Sequence, residues 1–220
     1  MSGQNITFSV NGQPAQGYLA LPSEANAPGV ILLHAWWGLN PFFRSICDRL
    51  ADEGFVGFAP DLNEGKVAQT VEEAKQIMTD SDFARKHAIV AAAPDFLRSR
   101  SEVRKEAFSV IGFSMGASWS LVLSSERPDV IRKAVIFYGT EGADFSRIRA
   151  ELLGHFSDVD EWEPMDGVRA MEADMRSAGM DPLLYTYPNT SHWFFEEDRP
   201  EYDAESSELA WTRTLEFLRR

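Results

Sequence analysis

The stretch Ser109-Val110-Ile111-Gly112-Phe113-Ser114-Met115-Gly116-Ala117-Ser118 joins an apolar, β-type run to a helix-like segment, with Ser114 at the joint. Gly112 and Gly116 flank the serine on either side at the spacing G-x-S-x-G. A chain that turns sharply from strand into helix at a serine holds that residue in a strained conformation. Glycines on both sides let the backbones of strand and helix approach. The hydroxyl then stands above the sheet, with the next backbone N–H and the positive end of the helix aimed at any oxyanion forming there. The motif is short, and a strand-to-helix turn that merely needs small residues would also produce it. What separates the two readings is whether Ser114 has partners.

Working outward, residues 107–111 form the strand that feeds Ser114 and 115–125 the helix that leaves it. On the N-terminal side, residues 6–10 and 17–21 read as short strands around Asn11-Gly12, a hairpin-turn dipeptide. Residues 29–34 are an unbroken apolar run, as in a strand buried on both faces of a parallel sheet. Residues 42–53 have helical spacing at Phe43, Ile46, Cys47 and Leu50 and end at Gly54. Residues 55–59 are the next strand. From 64 to 106 the pattern is helical but uneven, with Pro94 expected near a helix start or a kink. Beyond the serine, 134–138 reads as a strand, 139–149 as irregular, 152–156 as a strand and 164–178 as a helix. A strand at 183–187, a loop at 188–202 and an amphipathic helix at 204–220 complete the chain.

This alternation predicts an α/β fold: one domain over 1–220, with a mainly parallel, doubly wound sheet and helices on both faces. Ligands bind at the carboxyl ends of strands in such sheets, and residues 63–104 are expected to lie partly over that end.

Composition narrows the function. A chain of 220 residues with 44% hydrophobic content buries a sizeable core. Its 34 acidic and 21 basic residues give a formal net charge of −13, which disfavours nucleic acid and anionic membrane surfaces as partners. The single cysteine, Cys47, excludes an internal disulfide and reads as buried on an amphipathic helix. No cluster has zinc-ligand spacing, so no metal and no cofactor is expected. The N-terminal residues 1–7 are polar, without the apolar core of a secretory signal, and no apolar run reaches membrane-spanning length. A soluble, cytoplasmic protein is expected, as a monomer or small homo-oligomer acting on a small molecule.

A serine hydroxyl becomes a useful nucleophile when a base takes its proton and a carboxylate orients that base. In a fold of this kind the order should be serine, acid, histidine, each in a loop after a strand. Two histidines follow Ser114, His155 and His192. His155 lies inside the run 152–156, the place of a satisfied core histidine. His192 lies in the loop after the last strand, where the base belongs. Asp158, Asp160, Glu161 and Glu163 crowd the loop after the preceding strand. Asp160 is the preferred acid because residues 157–159 supply a turn and Pro164 starts the next helix, with Asp158 as its rival. The oxyanion would be met by the N–H of Met115 and by one from the loop after His34, where Trp36 is best placed. Trp37, Tyr138, Trp162, Trp193 and Phe194 fall at predicted strand ends and outline an aromatic-lined substrate pocket. The competing reading is that some of these rings anchor loops to the core.

In these segments the chain resembles the dienelactone hydrolase family of α/β hydrolases over nearly its whole length. The resemblance is carried by His34-Ala35-Trp36-Trp37-Gly38-Leu39-Asn40, Ala59-Pro60-Asp61-Leu62, Gly112-Phe113-Ser114-Met115-Gly116, Asp160-Glu161-Trp162-Glu163-Pro164, Ser191-His192-Trp193-Phe194, Arg199-Pro200-Glu201-Tyr202 and the tail from Ala210 to Leu218. It implies Asp160 as the triad acid, and Trp36 with Met115 as oxyanion donors. Two departures bear on chemistry. The best-known members use a cysteine where this chain has Ser114, and carry a glutamate after the first-loop histidine where this chain has Ala35. The changes agree with each other, because a serine activated by His192 does not need that glutamate. The arginines that hold the substrate carboxylate in those members have no clear counterpart: Arg85 is one candidate, and the residue four after His192 is Glu196, an acid. The reading that results is a serine hydrolase of a neutral carboxylic ester or lactone. The alternatives are an amide or thioester hydrolase, or a non-catalytic small-ligand binder on the same fold.

Overall fold

Asn11 and Gly12 take positive φ of 52° and 79°, the backbone that a two-residue hairpin turn requires. They join β1 (Gln4–Val10) to β2 (Gln13–Ala20), paired antiparallel from Gln4↔Leu19 to Val10↔Gln13. The computed structural model describes residues 3–220, so the first two residues of the polar N-terminal segment lie outside the described residues. By internal contacts the chain forms two compact units, Met1–Ile111 and Gly112–Arg220.

In the first unit β2 pairs antiparallel with β4 (Val56–Pro60), and β4 pairs parallel with β3 (Ala27–Leu33). The strand order is β1-β2-β4-β3-β5, where β5 is Val103–Phe113 and its last two residues enter the second unit. β3 and β4 are buried almost throughout, which explains their unbroken apolar sequences. Helix α1 (Pro41–Asp52) begins at Asn40, whose side chain accepts the Phe43 N–H at 3.1 Å, and Pro41 supplies a first helical residue with no N–H to satisfy. It buries Phe42, Phe43, Ile46, Cys47 and Leu50, each large apolar side chain contributing about 1.5–3 kcal/mol. A Cβ on Gly57 would meet the Cys47 carbonyl at 2.8 Å, so α1 lies directly on β4.

The uneven helical stretch resolves into α2 (Val71–Thr79) and α3 (Phe83–Ser99). Two expectations need correction. Pro94 lies inside α3 and not at its start. One lost backbone bond and the ring's steric cost are outweighed there by Ile89, Val90, Ala93 and Leu97, buried on both sides of it. Phe96 of α3 packs its ring 5.3 Å from Phe8 and 4.5 Å from Phe58, which makes α3 a core helix of its unit. Strand β5 begins at Val103 and not at Ala107. Its first residues include exposed Arg104, Lys105 and Glu106, so the strand has no apolar signature where it starts.

The second unit holds α4 (Met115–Glu126), β6 (Ile131–Phe137), β7 (Glu151–Ser157), α5 (Met165–Ser177), β8 (Leu183–Tyr187) and α6 (Ala204–Arg219). A single 3-10 turn, Phe145–Arg147, interrupts the irregular segment after β6. β6, β7 and β8 lie side by side and parallel, with Phe137 opposite His155 and His155 opposite Tyr185. Their carboxyl ends therefore share one edge, and the loops after Phe137, Ser157 and Tyr187 gather there. Among the described residues no helix is long and apolar enough to cross a membrane.

Candidate active site

Ser114 stands between β5 and α4 with φ 50° and ψ −114°, the strained conformation expected at a sharp strand-to-helix turn. A Cβ on Gly112 would lie 2.1 Å from the Gly116 carbonyl and 2.2 Å from Ser120 Oγ, so no larger residue fits at minus two. The Ser114 N–H donates to the Phe137 carbonyl of β6 at 2.9 Å, and the Ser114 carbonyl accepts from Ala117 at 2.8 Å. The serine backbone is thus held on both sides, leaving the half-buried hydroxyl directed by its own partner.

That partner comes from the loop after β8. Asn189 and Trp193 take positive φ of 58° and 68°, Thr190 Oγ1 donates to the Tyr187 carbonyl at 2.8 Å, and His192 is carried between them. The β7 loop is laced to it by the Val159 N–H on the Thr190 carbonyl at 3.1 Å. His192 Nε2 then lies 3.0 Å from Ser114 Oγ, and its Nδ1 lies 2.8 Å from Asp160 Oδ2. Asp160 Oδ2 also accepts from Ser157 Oγ at 2.9 Å, while Oδ1 accepts the N–H groups of Trp162 at 2.8 Å and Glu163 at 2.9 Å. All of these residues belong to the second unit. The rival Asp158 is exposed and makes no such bond to His192.

Electrostatics follow from this geometry. Burial raises the pKa of Asp160, but the hydrogen bond and charge of His192 and the two backbone donors outweigh it, and the carboxyl is held below its usual range. An ionised Asp160 fixes Nδ1 as the protonated nitrogen, which leaves Nε2 to accept from Ser114. His155, by contrast, is fully buried, with Nδ1 on Tyr187 OH at 2.8 Å and Nε2 on Thr214 Oγ1 at 3.1 Å. Burial, and then Arg213, push it down to about 3. It is the satisfied core histidine that its position implies.

The aromatic residues divide by position. Trp162 and Trp193 flank His192 at ring distances of 6.4 and 5.0 Å and line a cavity of about 260 Å³ beside it. Tyr138 and Phe194 are fully buried and do not line that cavity. Their reading as substrate-facing rings gives way to one in which they back the imidazole: Tyr138 packs 4.8 Å from His192 and Phe194 5.8 Å from Tyr138. Tyr138 donates its hydroxyl to Glu196 Oε1 at 2.8 Å. Glu196 is fully buried, and burial pushes its carboxyl up to about 8. Ser157 and the Tyr138–Glu196 pair were not distinguished by sequence, because each works through a contact that only the folded chain creates.

Met115 is the first residue of α4, so its N–H sits at the positive end of the helix. Trp36 and Trp37 belong to the first unit, in a turn that passes through Gly38 at φ 92°. The Trp36 carbonyl accepts from Asn63 Nδ2 at 2.9 Å, and Asn63 Oδ1 accepts from buried Lys86 Nζ at 2.7 Å. The Trp37 carbonyl accepts from Ala68 at 2.9 Å, and the Trp37 side chain is 2% exposed, with its ring 5.5 Å from that of Trp36. Arg85 is engaged with the hairpin, donating to the Pro14 carbonyl at 2.7 Å and to Glu64 at 3.2 Å. Among the described residues no group of three or more His, Cys, Asp or Glu is placed to hold a metal ion.

A family model for dienelactone hydrolases matches residues 15–220. The chain belongs to the dienelactone hydrolase family. It is therefore a hydrolase of the carboxylic ester or lactone type. Among its relatives it is 34% identical to "Protein usf" of Aquifex pyrophilus over 99% of this chain and 98% of that one. It is 28% identical to a protein of Aquifex aeolicus named "Putative carboxymethylenebutenolidase", with the same coverage. A crystal structure from Klebsiella pneumoniae, described as a "Putative Dienelactone Hydrolase", matches with a TM-score of 0.89 at 22% identity, covering 100% of both chains. That last likeness is one of fold alone.

Proposed function

We propose that this family member cleaves its ester or lactone through an acyl-enzyme on Ser114. The observation that carries the reading is the continuous relay Asp160 Oδ2, His192 Nδ1, His192 Nε2, Ser114 Oγ, with its two contacts at 2.8 and 3.0 Å. In the first half-reaction Ser114 Oγ bonds to the substrate carbonyl carbon while its proton passes to His192 Nε2. The carbonyl oxygen becomes an oxyanion, for which the N–H of Met115 at the start of α4 is the proposed donor from this unit. The family resemblance supports the N–H of Trp36 as the second. Collapse breaks the bond to the alcohol oxygen, which leaves with the proton from Nε2. Water then gives a proton to Nε2, attacks the acyl carbon and releases the acid, and the proton returns to Ser114. Asp160 holds the imidazole in the required tautomer and stabilises the imidazolium.

The test is a pair of measurements on Ser114→Ala. The wild type should hydrolyse phenyl esters and take up one fluorophosphonate label per chain, while the variant, still folded, should lose both. Hydrolysis at wild-type rate by the variant would overturn the assignment.

A further inference from the structure

We propose that the cavity beside His192 receives the alcohol portion of the substrate, that this portion is apolar or aromatic and neutral or cationic, and that the cavity rejects carboxylates. The proposal rests on the ester-cleaving reading above and names the substrate class for it.

Three observations carry it. The cavity holds about 260 Å³, a little below the roughly 300–1,000 Å³ of whole small-molecule sites, so it suits a group and not an entire ligand. Its apolar wall is Val159, Trp162 and Trp193. Val159 is 61% exposed and Trp162 45%, two of the few large apolar side chains left to water among the described residues, and both line this one cavity. The Trp162 and Trp193 rings lie 5.6 Å apart, tilted by 46°, and both line the cavity. Finally, the remaining charge on the wall is acidic: Glu161 and Glu201 line the cavity, and among the described residues no lysine or arginine does.

Position within the reaction assigns the group. His192 lines the cavity and Ser114 does not. The alcohol oxygen is the atom that takes the proton from His192, so a group attached to that oxygen is the one directed to the base's side. An aryl or alkyl group there gains burial against the two indoles, and a cation adds attraction from their faces and from the carboxylates. A carboxylate meets two like charges in a partly desolvated space, where Ser191 can donate a hydrogen bond but no lysine or arginine among the described residues lines the wall to offset its lost hydration. This chain therefore discriminates by charge in the sense opposite to an enzyme that clamps a substrate carboxylate with arginine.

The experiment compares three aryl acetates: phenyl acetate, its para-carboxymethyl derivative and its para-trimethylammoniomethyl derivative. The methylene insulates the leaving phenolate from the charge, and rates are normalised to buffer hydrolysis. Wild-type kcat/KM should rank the cationic ester at or above the neutral one, and the carboxylate at least about tenfold below it. Combining Glu161→Gln with Glu201→Gln should raise the carboxylate-to-neutral ratio at least about threefold. Trp162→Ala should raise KM for all three against methyl acetate. Equal turnover of carboxylate and neutral esters, or a charge ranking untouched by the double substitution, would overturn the proposal alone. Failure of the wild type to hydrolyse any of the three would remove the ester-cleaving reading and the proposal with it.

Discussion

Asp160 accepts from four donors, on Ser157, His192, Trp162 and Glu163. Only one of these reaches the base. That division makes Asp160→Asn a clean test of its role. The amide oxygen can keep the two backbone N–H groups, while its NH₂ then faces His192 Nδ1. The imidazole must accept at Nδ1 and carry its proton on Nε2, where it can no longer take one from Ser114. We expect kcat on a phenyl ester to fall about 10³–10⁴-fold with KM little changed, and Asp158→Asn to leave kcat near wild type. A loss under about tenfold in Asp160→Asn would remove the orienting role. Ser114 and His192 were legible in the sequence because the chemistry demands a strained serine and a loop histidine in fixed order. Asp160 was preferred to Asp158, but spacing alone barely separated them, since they lie in the same turn and its backbone path decides which carboxylate turns toward the imidazole.

Between β6 and the base loop runs a second tie, and it titrates. Tyr138, at φ 37° directly after β6, reaches Glu196 four residues beyond His192, and its ring lies against the imidazole. Glu196 faces Tyr138, Asp198, Arg199 and Glu201. Burial, the largest influence, raises its carboxyl from 4.5 to about 8. Below pH 4.5 the group is neutral in both folded and unfolded chains, and its contribution is fully present. As pH rises from there through about 8 the unfolded chain ionises freely and the folded one resists. Stability therefore drains away across that window, by at most about 1.4 kcal/mol for each pH unit climbed. Glu196→Gln keeps an acceptor for Tyr138 and cannot ionise. Urea midpoints measured across this window should fall with pH more steeply in the wild type than in the variant. Parallel slopes would show that Glu196 is not the group responsible. The order of strands and helices was readable because β3 and β4 are unbroken apolar runs buried on both faces and α1 buries one face with a plain helical periodicity. It failed where packing overrides local preference, at Pro94 inside α3, and where solvated charges disguise a strand, at the start of β5.

Charge is the global property of this protein that bears on catalysis. A formal charge of −13 repels anionic substrates and attracts cationic ones at a distance, while Glu161 and Glu201 act at contact range on the cavity wall. Salt separates the two. The screening length shrinks from about 30 Å at 0.01 M to about 3 Å at 1 M, so the long-range part fades and the contact part survives better. On moving across that range, kcat/KM for the carboxymethyl ester should rise, that for the trimethylammoniomethyl ester should fall, and that for phenyl acetate should stay level. The two charged esters should converge without meeting, and the gap left at high salt should be the portion removed by Glu161→Gln with Glu201→Gln. If the charged esters coincide at high salt, the net charge alone accounts for the discrimination and the cavity wall contributes none of it. If the gap ignores salt altogether, the selection lies wholly within the cavity and the distant charges are spectators.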